Sequence, residues 1–479
     1  MVFQNDILAG SSGGTGTSSA VHTIGQSIRF NSGDSAYMHR TPSSTGNRKT
    51  FTSSFWFKRG KLGTDMYLGG PNISNSGYAY GIYFASDDSI YVWIYYSGSA
   101  WQGQLYTNRL FRDPSAWYHI VLSVDTTQAV SSERVRIYVN GQRETSFATE
   151  NYPNQNQDTS WNVSGTQMSI GSGDTNPSAS GAFFDGYLAE IHYLDGYAYD
   201  PSYFGLFNDS GIWIPKEYSG SYGTNGFHIK GEDSADLGND SSGNNNDFTT
   251  SGLASDDQRS DSPTNNFATF NPLVASSDTF TYSNGNLKSL SDTNSFAYTG
   301  LTQAIKTGKY VIEFDVGTLQ SSSSVGVGMC TLDYFTSNQA STTQDDLGQQ
   351  SNSFLFRDNT GNDATRMFIE SSSAITTNSP TLGNNDKFFI YVDADNGKAW
   401  VGLYDDSAGT TSIYGSDFDT VGNPATGANP TLSFTSGTEM MIFVQYYTGT
   451  GLTIETEPSK MTHSVVSGYN AINTKNLGS

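Results

Sequence analysis

Arg134-Val135-Arg136-Ile137-Tyr138-Val139-Asn140-Gly141 alternates apolar and polar side chains and then stops on a turn pair. Val135, Ile137 and Val139 fall on one face of a strand, because strand side chains repeat every second residue. Asn140-Gly141 is a two-residue hairpin signal, since both central positions of that turn need positive φ and this pair adopts it readily. The pattern extends outward. Ile28 and Phe30 share a face in Ser27-Ile28-Arg29-Phe30, and Phe51-Thr52-Ser53-Ser54-Phe55-Trp56-Phe57 and Trp117-Tyr118-His119-Ile120-Val121 read as further strands. Asp195-Gly196 is a second turn signal after the strand at 187–194. Asp200-Pro201 predicts a short helical turn capped by Asp200 with Pro201 at its first position. Half-buried strands need a second sheet to cover them, and neither a helix-length amphipathic repeat nor a fixed-period repeat is visible. The expectation is an all-β chain of two antiparallel β-sandwich (jelly-roll) domains.

Composition agrees and narrows the partners. At 479 residues two or three domains are expected. Asp and Glu number 46 against 24 Lys and Arg, giving a formal charge of -22, so a phosphate backbone would be repelled and nucleic acid is an unsuitable partner. Hydrophobics are only 35%, but 28 Phe, 29 Tyr and 7 Trp set the chain apart from disordered sequences, which are poor in aromatics. Cys330 is the only cysteine, which excludes an intrachain disulfide and a cysteine-rich zinc cluster. Met1 to Gly16 lacks a basic segment followed by an apolar core, and no run is long enough to span a bilayer, so neither a secretion signal nor membrane insertion is expected.

Five segments in the first half, taken in order, resemble a laminin-G-like, concanavalin A-type sandwich: Ser27–Tyr37, Phe51–Phe57, Trp117–Val121, Arg134–Gly141 and Phe184-Asp185-Gly186-Tyr187-Leu188-Ala189-Glu190-Ile191-His192-Tyr193. The second half resembles a SPRY-type sandwich. Gly308–Val316 and Val325–Gly328 are similar to that family's opening strands, and Asn385–Trp400 to its later signature, although Leu452-Thr453-Ile454-Glu455 stands where an Asn-Phe-Gly would be usual. Together with Ser219–Phe227, Asp261–Thr269 and Ser467–Leu477, this order resembles structural proteins of tailed bacteriophages, especially marine ones. The resemblance implies a non-enzymatic virion protein, a tail fibre or other host-facing adhesin, assembled in the host cytoplasm as a homotrimer. Its partners would be other virion proteins and a host cell-surface glycan or protein. The alternatives are a spacer or capsid decoration protein without receptor binding, and a polysaccharide depolymerase.

Boundaries follow from composition. Residues 1–19 are expected to form a flexible N-terminal arm, with Gly, Ser and Thr alone at 11–19. The first sandwich is placed at 20–254, because Asp240–Phe248 resembles that domain's own opening loop and is expected to pair back onto it. The acidic stretch 255–264 is expected to be a linker, 265–464 the second sandwich and 465–479 a C-terminal tail.

The candidate chemistry is sparse. A glycanase on this scaffold would need two carboxylates flanking the scissile bond. Glu190-Ile191-His192-Tyr193-Leu194-Asp195 is the nearest match, with His192 where an Asp would be needed and Asp195 at a predicted turn. No catalytic residue is expected. The six histidines, at 22, 39, 119, 192, 228 and 463, show no short zinc-site spacing and are expected to be structural. Calcium is the one cofactor considered, with Asp34, Asp185 and the Asp240–Asp247 loop as oxygen sources, against the reading of the same residues as self-bonded turns. Aromatic excess is the stronger clue. Tyr78, Tyr80, Trp93, Tyr95 and Trp101 are the candidate ligand-binding residues, because sugars stack on aromatic faces and such rings favour interfaces.

Overall fold

The computed structural model describes residues 22–71, 81–96, 101–173, 182–275, 280–291, 295–319, 324–338, 346–359, 362–370, 373–447, 449 and 451–477. The N-terminal arm at 1–19 therefore lies outside the described residues. The chain is two antiparallel β-sandwiches, and chain contacts divide it between Asn266 and Phe267. Among the described residues the α-helices are Leu332–Asn338 and Thr474–Leu477.

In the first unit one sheet runs, in spatial order, Gln142–Arg143, Val135–Val139, Trp117–Asp125, Thr50–Arg59, Gly186–Asp195, Ser27–Phe30 and Gln258–Arg259, with Phe227–Ile229 also paired to Gly186–Asp195. The other runs Phe147–Asn151, Trp101–Leu110, Ser89–Tyr96, Gly81–Phe84, Met66–Pro71, Met168–Ile170, Tyr37–Arg40 and Thr249–Ser251. Phe55, Ile120 and Ile137 from the first sheet meet Leu68, Ile82, Val92 and Leu105 from the second in one buried cluster. Alternation in the sequence places them there, since every second side chain faces inward.

The hairpin at Asn140-Gly141 has φ of 47° and 78°. Asn140 also accepts the His119 N–H on its side-chain oxygen at 2.7 Å. Asn140→Ala should therefore cost about 1–2 kcal/mol in urea unfolding, from the left-handed backbone and the lost hydrogen bond together. Pro201–Tyr203 forms the short helical turn, and Asp200 accepts the Ser202 N–H at 2.8 Å. Asp195-Gly196 does not turn a hairpin. Asp195 ends its strand, and its carboxylate accepts from the N–H of Asn47 at 2.7 Å, the N–H of Asn225 at 3.1 Å and the Asn162 amide at 2.6 Å.

Phe227–Ile229 and Thr249–Ser251 are strands of the two sheets, so the residues beyond the usual last strand complete the first sandwich. The stretch at 255–264 is not a linker. Gln258–Arg259 pairs with Ser27–Phe30, the Arg29 guanidinium reaches Asp257 at 3.0 Å, and Asp261 is buried 2.8 Å from the Lys58 ammonium. Cations more than 200 residues away in sequence neutralise these acids, which is why an acidic run can fold inward here.

The second unit also has two sheets, one ordered Phe270–Ala275, Ala297–Leu301, Met440–Tyr447, Ser324–Thr331, Phe354–Asn359 and Asn362–Ile369, the other centred on Lys309–Asp315 and Lys387–Asp393. Between them lies a core including Ile312, Val327, Phe356, Ile390 and Phe443. Residues 465–477 are not a free tail. Asn470 exchanges backbone hydrogen bonds with Lys309 and Val311 at 3.0 Å each, and the Tyr469 ring packs on Tyr391 with centroids 4.8 Å apart. Cys330 is a buried core residue whose thiol is pushed up by burial, as a structural cysteine requires.

Candidate functional site

The aromatic excess of the first unit is concentrated on one face of one sheet. Met66, Leu68, Ile82, Phe84, Ile90, Val92 and Leu105 point into the core, so the intervening residues of the same strands point away from it. Strand register then aligns Tyr67 with Tyr83, Tyr83 with Tyr91 and Tyr91 with Tyr106. The result is a row of four tyrosines crossing four strands, about 14 Å over three inter-strand gaps.

Trp93 joins the row from the next rung. Its indole N–H donates to the Tyr106 hydroxyl at 3.1 Å, and its ring meets Tyr83 edge-on with centroids 5.3 Å apart. Tyr91 and Tyr106 stack at 3.7 Å and 6°, and Tyr67 lies 4.9 Å from Tyr83. Trp93 and Tyr83 are buried among their neighbours, whereas Tyr67, Tyr91 and Tyr106 are half-buried and reach solvent. Burial raises the pKa of Tyr83, Tyr91 and Tyr106, so all three keep their hydroxyl protons at neutral pH. Exposed Asp65 and Asp87 and half-buried Gln104 add polar groups on the flanking strands and turn. Flat apolar faces bordered by acceptors and hydroxyl donors are what a carbohydrate ring can use.

Of the residues expected to bind ligand, Trp93 is part of this surface. Tyr78 and Tyr80 lie outside the described residues. Tyr95 and Trp101 sit in the paired strands Ser89–Tyr96 and Trp101–Leu110, and their side chains are outside the described set. Tyr67, Tyr83 and Tyr106 were not expected. They come from three different strands, and only register joins them; the alternation of Tyr91 and Trp93 along one strand is the local trace of the row.

The three aspartates proposed for calcium do not assemble. Asp34 is exposed and accepts from the Asn31 amide at 2.6 Å. Asp185 is buried, takes the Ser32 N–H and hydroxyl at 3.1 and 2.9 Å, and has its pKa raised by that burial. Asp240 accepts from the N–H groups of His228, Ser242 and Asn246 and from the Ser242 hydroxyl, all within 2.9 Å. Each Asp240 oxygen is thus committed to N–H or O–H donors, and the loop is a self-bonded turn.

The Glu190–Asp195 run likewise lacks a facing carboxylate pair. Asp195 is held by Asn47, Asn162 and Asn225, while Glu190 is surrounded by imidazoles. Its Oε2 lies 2.9 Å from His228 Nε2, 3.3 Å from His192 Nε2 and 3.7 Å from His22 Nε2. Burial would raise this carboxyl, but the surrounding imidazoles of His192, His22 and His228 outweigh it and hold the group far below the usual range. Among the described residues, Glu190, His192 and His228 are the group of metal-capable side chains drawn close together, and none of Asp34, Asp185 or Asp240 belongs to it. Sequence spacing hides this cluster, because His22 and His228 are far from Glu190 along the chain. His119 and His463 are fully engaged elsewhere. Trp213 and Ser54 partner the first, Glu313 and Tyr391 the second.

Residues 31–197 match the family model of the concanavalin A-like lectin/glucanases superfamily. Among solved structures the chain is similar to a native heptameric SAP-like pentraxin from Limulus polyphemus, at 15% identity and a TM-score of 0.28, covering 38% of this chain and 80% of that one. It is also similar to the SPRY domain of human HERC1, at 13% identity and a TM-score of 0.24 over 39% of this chain and 96% of that one. The TRIM65 PSpry domain is another, at 13% identity and a TM-score of 0.26 over 40% and 89%. A comparison with curated protein sequences finds no match.

Proposed function

We propose that this chain is a non-enzymatic binding protein whose first sandwich receives a cell-surface glycan on the Tyr67–Tyr83–Tyr91–Tyr106 row, within a phage virion as a tail fibre or other host-facing adhesin. The observation that carries the binding reading is the row itself: four tyrosines in register, extended by Trp93, on a sheet face turned away from the core. Aromatic side chains are costly to leave on a solvent face unless they serve recognition. The setting in a virion rests on the likeness of Ser219–Phe227, Asp261–Thr269 and Ser467–Leu477 to phage structural proteins, and the trimer on that likeness alone. The non-catalytic reading is supported by the surroundings of Glu190, which are imidazoles instead of a second carboxyl.

A glycan array probed with the full chain tests the binding. Wild-type protein should retain a defined set of oligosaccharides, and the Tyr91→Ala and Tyr106→Ala variants should bind them at least about tenfold more weakly, equivalent to about 1.4 kcal/mol. Tyr91→Ala trims a half-buried ring and should move the unfolding midpoint little, whereas Tyr106→Ala also removes the acceptor of the Trp93 indole N–H and should cost about 1–2 kcal/mol, so its binding is compared at a temperature where it is fully folded. Absence of any retained glycan, or equal binding by the variants, would defeat the assignment and favour a spacer role.

A further inference from the structure

We infer that Glu190, His192 and His228, together with His22, form a binding site for a divalent transition metal of the zinc class, and that the ion cross-links three separate segments of the first sandwich. The site is built by a break in the sheet. Pairing of Gly186–Asp195 with Thr50–Arg59 loses register between Ala189 and His192, and Glu190 adopts a φ of 47°. A non-glycine residue in that region is held there against its preference. The bulge brings the Glu190 carboxylate alongside His192, two residues on.

Cross-strand pairing supplies the next ligand. His192 lies opposite His228 in the pairing of Gly186–Asp195 with Phe227–Ile229, and the two rings stack with centroids 3.9 Å apart. The ligand atoms of Glu190, His192 and His228 all lie within 4.8 Å of one another. Zinc takes imidazole nitrogens and carboxylate oxygens at about 2.0–2.2 Å in a tetrahedron, whose edges are then about 3.4 Å. The observed separations from Glu190 Oε2, 2.9, 3.3 and 3.7 Å, bracket that edge.

Two further features point to a ligand. His22 Nε2 is a buried atom with no hydrogen-bond partner, 3.7 Å from the Glu190 carboxylate and therefore at the rim of the cluster. His192 Nδ1 lies 3.1 Å from the Tyr222 hydroxyl, the outer-shell contact that fixes a ligating ring and leaves Nε2 for the metal. Three imidazoles and one carboxylate suit zinc, copper or nickel and do not suit calcium or magnesium, which need mostly oxygen. The bound ion would tie residue 22, ahead of the first strand, and Phe227–Ile229, beyond the usual last strand, to the Gly186–Asp195 strand. In a chain whose single cysteine excludes a disulfide, this is a cross-link of the kind disulfides provide elsewhere.

The test uses full-length protein stripped with a chelator and titrated with zinc chloride. Calorimetry and elemental analysis should give one zinc per chain with a Kd of about 1 μM or tighter, and the thermal midpoint should rise by several degrees. Cobalt(II) in place of zinc should give the intense visible bands of a tetrahedral site, a readout on wild-type protein that does not depend on any variant folding. His228→Gln and the peripheral His22→Ala should each weaken zinc binding at least tenfold, with the greater loss for His228→Gln. No stoichiometric uptake, an octahedral cobalt spectrum, or an affinity unchanged in His228→Gln would each overturn the assignment.

Discussion

Asp261→Ala should destabilise the first sandwich by about 3–5 kcal/mol, the range for stranding one member of a buried ion pair. The Lys58 ammonium is 1% exposed and lies 2.8 Å from Asp261 Oδ2 and 2.7 Å from the Asn266 side-chain oxygen. The other Asp261 oxygen accepts the Trp117 indole N–H at 2.9 Å. Truncation removes the carboxylate charge paired with Lys58 and also an acceptor of a buried donor, and the neutral Asn266 oxygen that stays beside the ammonium offsets only part of the desolvation cost. Trp56, Trp93, Trp101, Trp117, Trp161 and Trp213 belong to the first unit and only Trp400 to the second, so tryptophan fluorescence in urea reports chiefly on the sandwich in question. A midpoint shift equivalent to less than about 1 kcal/mol would show that the pair is solvated or dispensable. The double variant Lys58→Met/Asp261→Leu supplies the control. With both charges gone it should recover most of the loss, because the penalty belongs to the orphaned ammonium and not to the missing pair.

That same residue shows where sequence reading reaches its limit. Asp261 stands among Asp256, Asp257 and Ser262 before a proline, a composition that by itself describes a solvated connector. What folds it inward is Lys58, and local composition holds no trace of a partner so distant. Val135, Ile137 and Val139, by contrast, reveal their inward face directly, because the period of two that exposes it is a property of adjacent residues. The hairpin at Asn140-Gly141 and the cap at Asp200 are legible for the same reason. The tyrosine row is intermediate. Tyr91 and Trp93 alternate within one strand, but Tyr67, Tyr83 and Tyr106 come from three others and become neighbours only through register. The histidine cluster is least legible, since it depends on a bulge at Glu190 and on an added strand at Phe227–Ile229, and the Glu190-x-His192 spacing is its sole local sign.

His119 should make the first sandwich acid-labile, with about 3 kcal/mol lost between pH 7 and pH 4 on account of this one ring. It is 1% exposed and stacks on Trp56 with centroids 4.8 Å apart. The Trp213 indole N–H donates to His119 Nδ1 at 3.1 Å, so that nitrogen carries the lone pair and the proton sits on Nε2, 2.9 Å from the Ser54 hydroxyl oxygen. A second proton would have to enter at Nδ1, against the indole N–H already there. Burial, and secondarily the charge of His192, pull the imidazole down to about 3 from its ordinary 6.5. Between those two values the unfolded chain holds a proton that the folded chain refuses, so stability rises with pH across the window and falls as pH drops from 6.5 toward 3. At about 1.36 kcal/mol per pH unit over the 2.5 units from 6.5 to 4, the loss is about 3 kcal/mol. Carboxylates also titrate in this range, so the informative quantity is the difference between wild type and His119→Gln measured by urea unfolding at each pH. The variant should be the less stable protein at pH 7, having lost the ring's packing, yet its stability should decline more gently on acidification, and the gap should close by about 3 kcal/mol by pH 4. A gap of constant size across that range would mean that His119 accepts its proton in the folded state as easily as in the unfolded one, and the buried neutral tautomer would have to be abandoned.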